Sequence, residues 1–198
     1  MPVSFTRGTC SQPSFSTVTE AFFHHAATQP SATAARDLSA EPPVEISYGE
    51  LASQATRLAR RLQSLGVLPG DRVPLVVKRG VGMLVGIISI LSCGAQYVPL
   101  DGGVVADETL RFVLKQTGGK LAVSSKSTAH RLVNTGVSNV VVVEDEHDVD
   151  EKVNFVPFSR PEAGCYVIYT SGKSSHVHAL CHITNIVRHN WYAKGCGC

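Results

Sequence analysis

Charged residues are few in this 198-residue sequence. Lys and Arg number 18 and Asp and Glu 16, which leaves a formal net charge of +2. Apart from Arg57, Arg60 and Arg61, the basic residues are scattered, so the chain lacks a basic patch of the kind that binds nucleic acid. We therefore predict no nucleic-acid partner. Hydrophobic residues make up 43% of the chain, which is enough to form a core and argues against disorder.

The six cysteines follow no regular spacing, so the framework of a disulfide-rich secreted protein is absent. The amino terminus also lacks the charged start and apolar segment of a secretion signal. Both observations predict a cytoplasmic protein. The His and Cys residues near the carboxyl terminus match no usual zinc spacing, but a zinc-binding tail module stays open as an alternative. These residues are His176, His178, Cys181, His182, His189, Cys196 and Cys198.

Long hydrophobic runs are scarce, and only residues 81–100 form an uncharged segment long enough to cross a membrane. Glycine, glutamine and proline interrupt this segment. The interruptions favour a buried helix followed by a strand, and we predict no membrane partner.

Two capping-box patterns mark the starts of helices in the first half of the chain. Thr17 and Glu20 precede one short helix that ends near Pro30, and Ser47 and Glu50 precede a longer one. In the longer helix the apolar residues recur at helical spacing until Gly66 ends it. These apolar residues are Leu51, Ala55, Leu58, Leu62 and Leu65.

Beyond residue 70, predicted strands alternate with predicted helices. This alternation is typical of an α/β fold with a mostly parallel sheet flanked by helices. The run of four valines at 140–143 lacks alternation, which predicts a strand covered on both faces. Residues 144–163 are expected to form a long surface connection. The predicted strands cover 72–77, 96–101, 120–125, 139–145 and 165–169, and the predicted helices 80–94, 106–118 and 127–136.

The last predicted strand leads into a loop of small polar residues at 170–175. Ligands of open α/β sheets bind beyond the carboxyl ends of the strands, and backbone N–H groups and hydroxyls of such a loop donate to phosphate oxygens. The loop does not match the GxxxxGK[ST] pattern. From its residues alone, it is either a phosphate-binding loop or a solvated turn.

Four segments, in order along the chain, resemble motifs of the adenylate-forming superfamily of acyl- and aminoacyl-AMP ligases. The chain is most similar to the first part of the adenylation domains of fungal nonribosomal peptide synthetases. Its second segment, ILSCGAQYVPLD, resembles the motif LKAGxAYVPLD, with Ser92 and Cys93 in place of Lys and Ala. Its last, YVIYTSG, resembles the start of the phosphate-binding motif YTSG[ST]TGxPKG. The four segments are residues 46–77, 90–101, 109–125 and 166–172.

The resemblance implies the incomplete N-terminal subdomain of an adenylate-forming enzyme. In that family a small carboxylic or amino acid is activated by ATP and magnesium to an acyl-AMP, and a carrier-protein thiol then accepts the acyl group. Carried over residue by residue, the phosphate-binding role falls on Thr170, Ser171, Gly172 and Ser174. Lys173 stands where the family has Ser or Thr. Within the second motif, Gly94 is expected to end a helix, Pro99 to end a strand and Asp101 to form a turn.

The resemblance ends after Ser174, because residues 175–179 replace the Gly-x-Pro-Lys-Gly of the motif. We therefore expect a flexible lead at 1–15, a partial AMP-binding domain at 16–174 and a divergent tail at 175–198. No catalytic residue and no metal ligand is assigned, and the chain alone is expected to be inactive. A shifted reading frame near codon 173 would explain why the resemblance to the family motif ends there. The alternative is a non-catalytic pseudo-ligase that binds a nucleotide or a partner subunit.

Overall fold

The computed structural model of the chain describes residues 14–145, 155–158, 160–169 and, for the backbone alone, 180–182. Helices and strands alternate along most of this part of the chain. The helices are α1 (Val18–Thr28), α2 (Tyr48–Ser64), α3 (Val81–Ser92) and α4 (Asp107–Gln116), with a 3-10 helix at Ala129–Leu132. The strands are β1 (Thr33–Asp37), β2 (Val44–Ser47), β3 (Arg72–Val77), β4 (Gln96–Asp101), β5 (Leu121–Ser124), β6 (Asn139–Val142), β7 (Gly164–Val167) and β8 (Leu180–His182).

The main sheet has the strand order β6-β5-β3-β4-β7-β8. Strands β3 to β7 are parallel, and β8 pairs antiparallel with β7. This arrangement confirms the predicted α/β fold with a mostly parallel sheet. Strands β1 and β2 form a separate antiparallel hairpin, of which the sequence analysis did not predict the first strand.

The two predicted capping patterns both start helices, but in different ways. At α2 the box is complete, since Ser47 Oγ accepts from Glu50 N–H and the Glu50 carboxylate accepts from Ser47 N–H at 2.9 Å. At α1, Thr17 Oγ1 accepts from Glu20 N–H at 3.1 Å, while Ser16 N–H donates to the Glu20 carboxylate at 2.9 Å. The bonds to the Glu50 and Glu20 N–H groups satisfy donors that the first helical turn leaves unpaired, and the two glutamate carboxylates bond to N–H groups just before the helices.

The core lies on both faces of the main sheet. Successive side chains of β3 point to opposite faces of the sheet. Leu75 therefore packs with α2 and α3, whereas Val76 packs with α4. Residues 81–100 form the predicted helix and strand, α3 and β4. Within the described residues, no helix combines the length and the hydrophobicity needed to cross a bilayer.

Two predictions on the β5–β6 side of the sheet are wrong. Residues 127–136 form only the four-residue 3-10 helix, because Thr128 Oγ1 bonds to backbone carbonyls and Asn134 has a φ of 60°, outside the helical region. Strand β6 is an edge strand, and Val140 is 40% exposed while Val141 is buried. The short 3-10 helix leaves one face of β6 largely uncovered, so the valines do alternate between a buried and a solvated face.

Candidate functional site

The candidate phosphate loop follows β7. Because β7 is parallel to β4, its carboxyl end lies at the same edge of the sheet as the ends of β3, β4 and β5. Ile168 and Tyr169 continue the chain beyond this edge. The predicted site residues Thr170, Ser171, Gly172 and Ser174 lie outside the described residues, as does Lys173. Their phosphate-binding role therefore stays a prediction.

Tyr169, the last described residue before the loop, is fixed by packing. Its ring meets Phe112 of α4 edge-on, with 6.3 Å between the ring centroids, and it packs against the core cluster that contains Leu110 and Val113. The Tyr169 hydroxyl oxygen is buried and has no hydrogen-bond partner in the described part of the chain. The loop therefore starts from a residue that is held against α4.

The end of β4 forms the turn that the sequence predicts. Asp101 Oδ1 accepts from Gly103 N–H at 2.9 Å, which is a turn in which an Asp side chain bonds two residues onward. Gly94 follows the C-cap of α3 with a φ of 73°, so its predicted role in ending that helix is confirmed. Pro99 differs from its prediction, because it lies within β4, opposite Leu75, and β4 continues to Asp101. Pairing of the neighbouring residues carries the strand past the proline.

Buried hydroxyls connect the ends of β3 and β5. Thr128 Oγ1 donates to Val76 O at 2.7 Å, Ser124 Oγ donates to the same carbonyl at 3.2 Å, and Ser125 bonds to Thr128. All three hydroxyls are buried and hydrogen-bonded. They therefore fix the strand ends and are not open donors for a ligand.

Arg131 joins the turn after β4 to the 3-10 helix. Its guanidinium donates to Gly102 O at 2.9 Å, to Val105 O and to the Asp107 carboxylate. The hydrogen bond and charge of Arg131 lower the pKa of Asp107 below its ordinary value of 3.8. Arg131 is thus occupied by bonds within the fold. The sequence analysis did not single it out, because its three partners precede it by 24 to 29 residues.

A cleft of about 420 Å³ lies at the end of β3. Lys78 and Arg79 line it together with Ser125 and Ser127, while Asp37 and Glu144 also border it. The cations and carboxylates balance, so the cleft has no single sign of charge. Among the described residues no group of three or more His, Cys, Asp or Glu side chains could hold a metal ion. The candidate zinc ligands of the tail have no described side chains.

Residues 22–173 match the family of AMP-binding enzymes, which is most of the chain. The chain belongs to this family. The matched range includes Thr170, Ser171 and Gly172 and ends just before Ser174. The first three motif segments each end at, or one residue after, the last residue of a parallel strand, β3, β4 or β5.

The chain is similar to fungal and bacterial relatives. It is 36% identical over 175 residues to adenylate-forming reductase 03009 of Coprinopsis cinerea, covering 86% of this chain and 16% of the relative. It is 31% identical over 129 residues to gramicidin S synthase 2 of Brevibacillus brevis, covering 65% of this chain and 3% of the relative. The chain therefore spans less than a fifth of each of these two proteins.

Solved structures agree with the fold. The nonribosomal peptide synthetase FmoA3 has a form bound to AMPPNP; it matches with a TM-score of 0.70 and 25% identity, over 82% of this chain and 17% of that one. A fatty acid AMP ligase from Legionella pneumophila matches with a TM-score of 0.75 and 18% identity, over 88% of this chain and 32% of that one. The chain thus has the fold of a part of these enzymes.

Proposed function

We propose that residues 170–174 hold the phosphates of ATP in an adenylate-forming domain, of which this chain is a part. The observation that carries the proposal is the position of β7, which ends at the carboxyl edge of a parallel sheet and is separated from this hydroxyl-rich segment by only Ile168 and Tyr169 in the sequence. Ligands of open α/β folds bind at this edge. The family match reaches residue 173, and the AMPPNP-bound form of FmoA3 supports a nucleotide as the ligand.

The reaction that we propose for the whole domain has two steps. A carboxylate of a small carboxylic or amino acid attacks the α-phosphorus of ATP, which forms an acyl-adenylate and releases pyrophosphate. A carrier-protein thiol then attacks the acyl carbon and releases AMP. The relative from Coprinopsis cinerea is named an adenylate-forming reductase, which supports the first step.

This chain alone should bind the nucleotide without turning it over. The described residues supply no carboxylate cluster for magnesium, and their buried hydroxyls are already bonded to backbone carbonyls. Adenylation needs the acid, the metal and the α-phosphate to be held together. We also propose a cytoplasmic location, which is supported by Cys93 being a free, buried thiol.

Hydrogen exchange followed by mass spectrometry tests the nucleotide site. We expect ATP, but not adenosine, to slow exchange in peptides that contain residues 170–174, and we expect Ser171→Ala to reduce this effect. Ser64→Ala, at the exposed end of α2, is the matched control and should leave it unchanged. Equal protection by adenosine, or protection confined to other peptides, would refute the proposal.

Isotope exchange between ATP and pyrophosphate tests the missing turnover. With pooled amino and carboxylic acids we expect no exchange above the rate without protein. Exchange that depends on an acid would show that the chain is a complete catalyst.

A non-catalytic pseudo-ligase remains the second candidate, and ATP protection without isotope exchange fits it equally well. Complementation separates the two. Adding the remainder of a related adenylation domain should restore isotope exchange if the chain is a part of an enzyme, whereas a pseudo-ligase should stay inactive. If the tail is a zinc-binding module, metal analysis should find stoichiometric zinc in the protein, and a chelator should remove it.

A further inference from the structure

Phe158 anchors the segment before β7 to two distant helices. Its backbone N–H donates to Ser92 O at the end of α3, at 2.9 Å. Its carbonyl oxygen accepts from Thr19 Oγ1 of α1, at 3.2 Å. Thr19 and Ser92 are both buried and Phe158 is half-buried, so both bonds are partly shielded from water. This part of the predicted surface connection is therefore tied to the domain.

The Phe158 ring packs directly on Gly94. A Cβ atom on Gly94 would lie 2.7 Å from two ring carbons, which is closer than such atoms approach in proteins. The ring therefore fits only because residue 94 has no side chain. The guanidinium of Arg160 lies 5.6 Å from the ring centroid on an exposed side chain. We call Thr19, Ser92, Gly94 and Phe158 the Phe158 seat.

Phe158, the residue of the seat nearest to β7 in the sequence, lies six residues before the start of that strand. A turn between them is closed by a bond from Ala163 N–H to Arg160 O at 3.0 Å, and β7 begins at Gly164. Strand β7 pairs with β4 at one position, Tyr97 and Tyr166, whereas β3 and β4 pair along six residues. Its other neighbour is the edge strand β8, with which it pairs at three positions. Because the ladder to the central strands is so short, the anchor before β7 contributes to where the strand lies on them.

We propose that the Phe158 seat positions β7 and, through it, the loop at 170–174. Phe158 and Gly94 are positioning residues in this account, and neither touches the ligand. That the loop holds a nucleotide rests on the function proposed above. The position of β7 does not rest on it and is measured separately.

Three variants test the fit of ring and glycine. Gly94→Ala places a Cβ against the ring, Phe158→Ala removes the ring, and the double variant removes the clash. Gly66→Ala is the matched control, because Gly66 also follows a helix with a positive φ, 86°, but a Cβ there meets no atom within 4 Å. It isolates the backbone cost of alanine in the left-handed region.

Amide exchange read residue by residue is the measurement, with β7 compared against β5. We expect Gly94→Ala to speed exchange at residues 165–167 about tenfold relative to Gly66→Ala, as overpacking displaces the strand, while residues 122–124 change equally in both. In the double variant, exchange in β7 should return toward that of Phe158→Ala alone. Phe158→Leu, which keeps apolar bulk, should restore part of the protection that Phe158→Ala loses.

ATP protection of residues 170–174 provides the second readout, and it should fall in Gly94→Ala but not in Gly66→Ala. Equal changes in β5 and β7, or strictly additive effects of the two substitutions, would overturn the proposal. If Gly94→Ala does not fold, Phe158→Ala alone must still speed exchange in β7 more than in β5. Absence of ATP protection in the unmodified chain would refute the proposed function, and the β7 comparison would still decide the role of the seat.

Discussion

Tyr97 of β4 and Tyr166 of β7 lie opposite each other on neighbouring parallel strands, with 5.6 Å between their ring centroids and 40° between the ring planes. Both side chains are half-buried. The pair connects the strand that leads to the candidate phosphate loop with the central strands of the sheet. Side-chain packing at this pair thus supplements a short backbone ladder.

A double-mutant cycle measures this coupling. We expect Tyr97→Leu and Tyr166→Leu together to destabilise the fold by about 0.5–1.5 kcal/mol less than the sum of the two single changes, because each single change already breaks the ring contact. Urea unfolding gives the free energies. Tyr48→Leu combined with Tyr166→Leu is the control and should be additive. Additivity in the Tyr97 cycle would show that the rings are adjacent without interacting.

The capping box of α2 predicts a local loss of stability. Ser47→Ala removes the side-chain acceptor for Glu50 N–H and should lower the free energy of unfolding by about 1 kcal/mol. Ser53→Ala, at an exposed position inside the same helix, should not lower the free energy of unfolding. Equal effects of the two substitutions in urea unfolding would contradict the role of Ser47.

The same box predicts a dependence of stability on pH. Bonds from the Ser47 backbone N–H and hydroxyl lower the pKa of Glu50 below its ordinary value of 4.5. A lowered pKa in the folded state stabilises the protein above pH 4.5, and this contribution is lost as the pH falls through the folded-state pKa. Glu50→Gln should therefore be less stable than the unmodified chain at neutral pH, and the difference should shrink in acid. A difference that stays constant with pH would refute this assignment.

Cys93 should be unreactive in the folded protein. Burial raises the pKa of its thiol to about 12, and Sγ donates to Ala59 O at 3.4 Å. Since the thiolate is the reactive form, iodoacetamide should modify Cys93 at neutral pH only when the fold opens. Peptide mass spectrometry would locate the label, with the urea-unfolded chain as the positive control. Labelling within minutes in the folded state would show that α3 is not packed as described.

Arg131 predicts a difference between arginine and lysine. Arg131→Ala leaves Gly102 O and Val105 O without their donor and should cost about 1–3 kcal/mol of stability. Lysine lacks the planar group that reaches several acceptors, so Arg131→Lys should recover only part of the loss. Lys115→Ala, on the exposed side of α4, is the control. Full recovery by lysine in urea unfolding would contradict a role for guanidinium geometry.

Local patterns in the sequence were sufficient for the helices and for most of the parallel strands. Ser47 and Glu50 are three residues apart, so their interaction depends on nothing but the helix that they start. The parallel strands β3 to β7 were predicted because each is a short, mainly apolar run, whereas the antiparallel strand β8 was not predicted. Strand β1 was missed because its residues are half-exposed and include no apolar alternation.

Features that depend on distant residues could not be predicted. The 3-10 helix at Ala129–Leu132 arises because Thr128 bonds to Val76, 52 residues away. The position of Phe158 depends likewise on a hydrogen bond from Thr19, which is 139 residues away in the sequence. For the candidate site, family motifs indicated the phosphate loop, whereas the anchoring of the segment before it became visible only once the fold brought α1 and α3 together.

An NMR titration with ATP tests most directly the claim that the loop after β7 holds the phosphates. In the assigned spectrum, we expect the amides of Ser171 and Gly172 to shift with ATP and to stay in place with adenosine, while the amides of Lys78 and Arg79 do not move. Shifts confined to the cleft at the end of β3, or equal shifts with adenosine, would contradict the account.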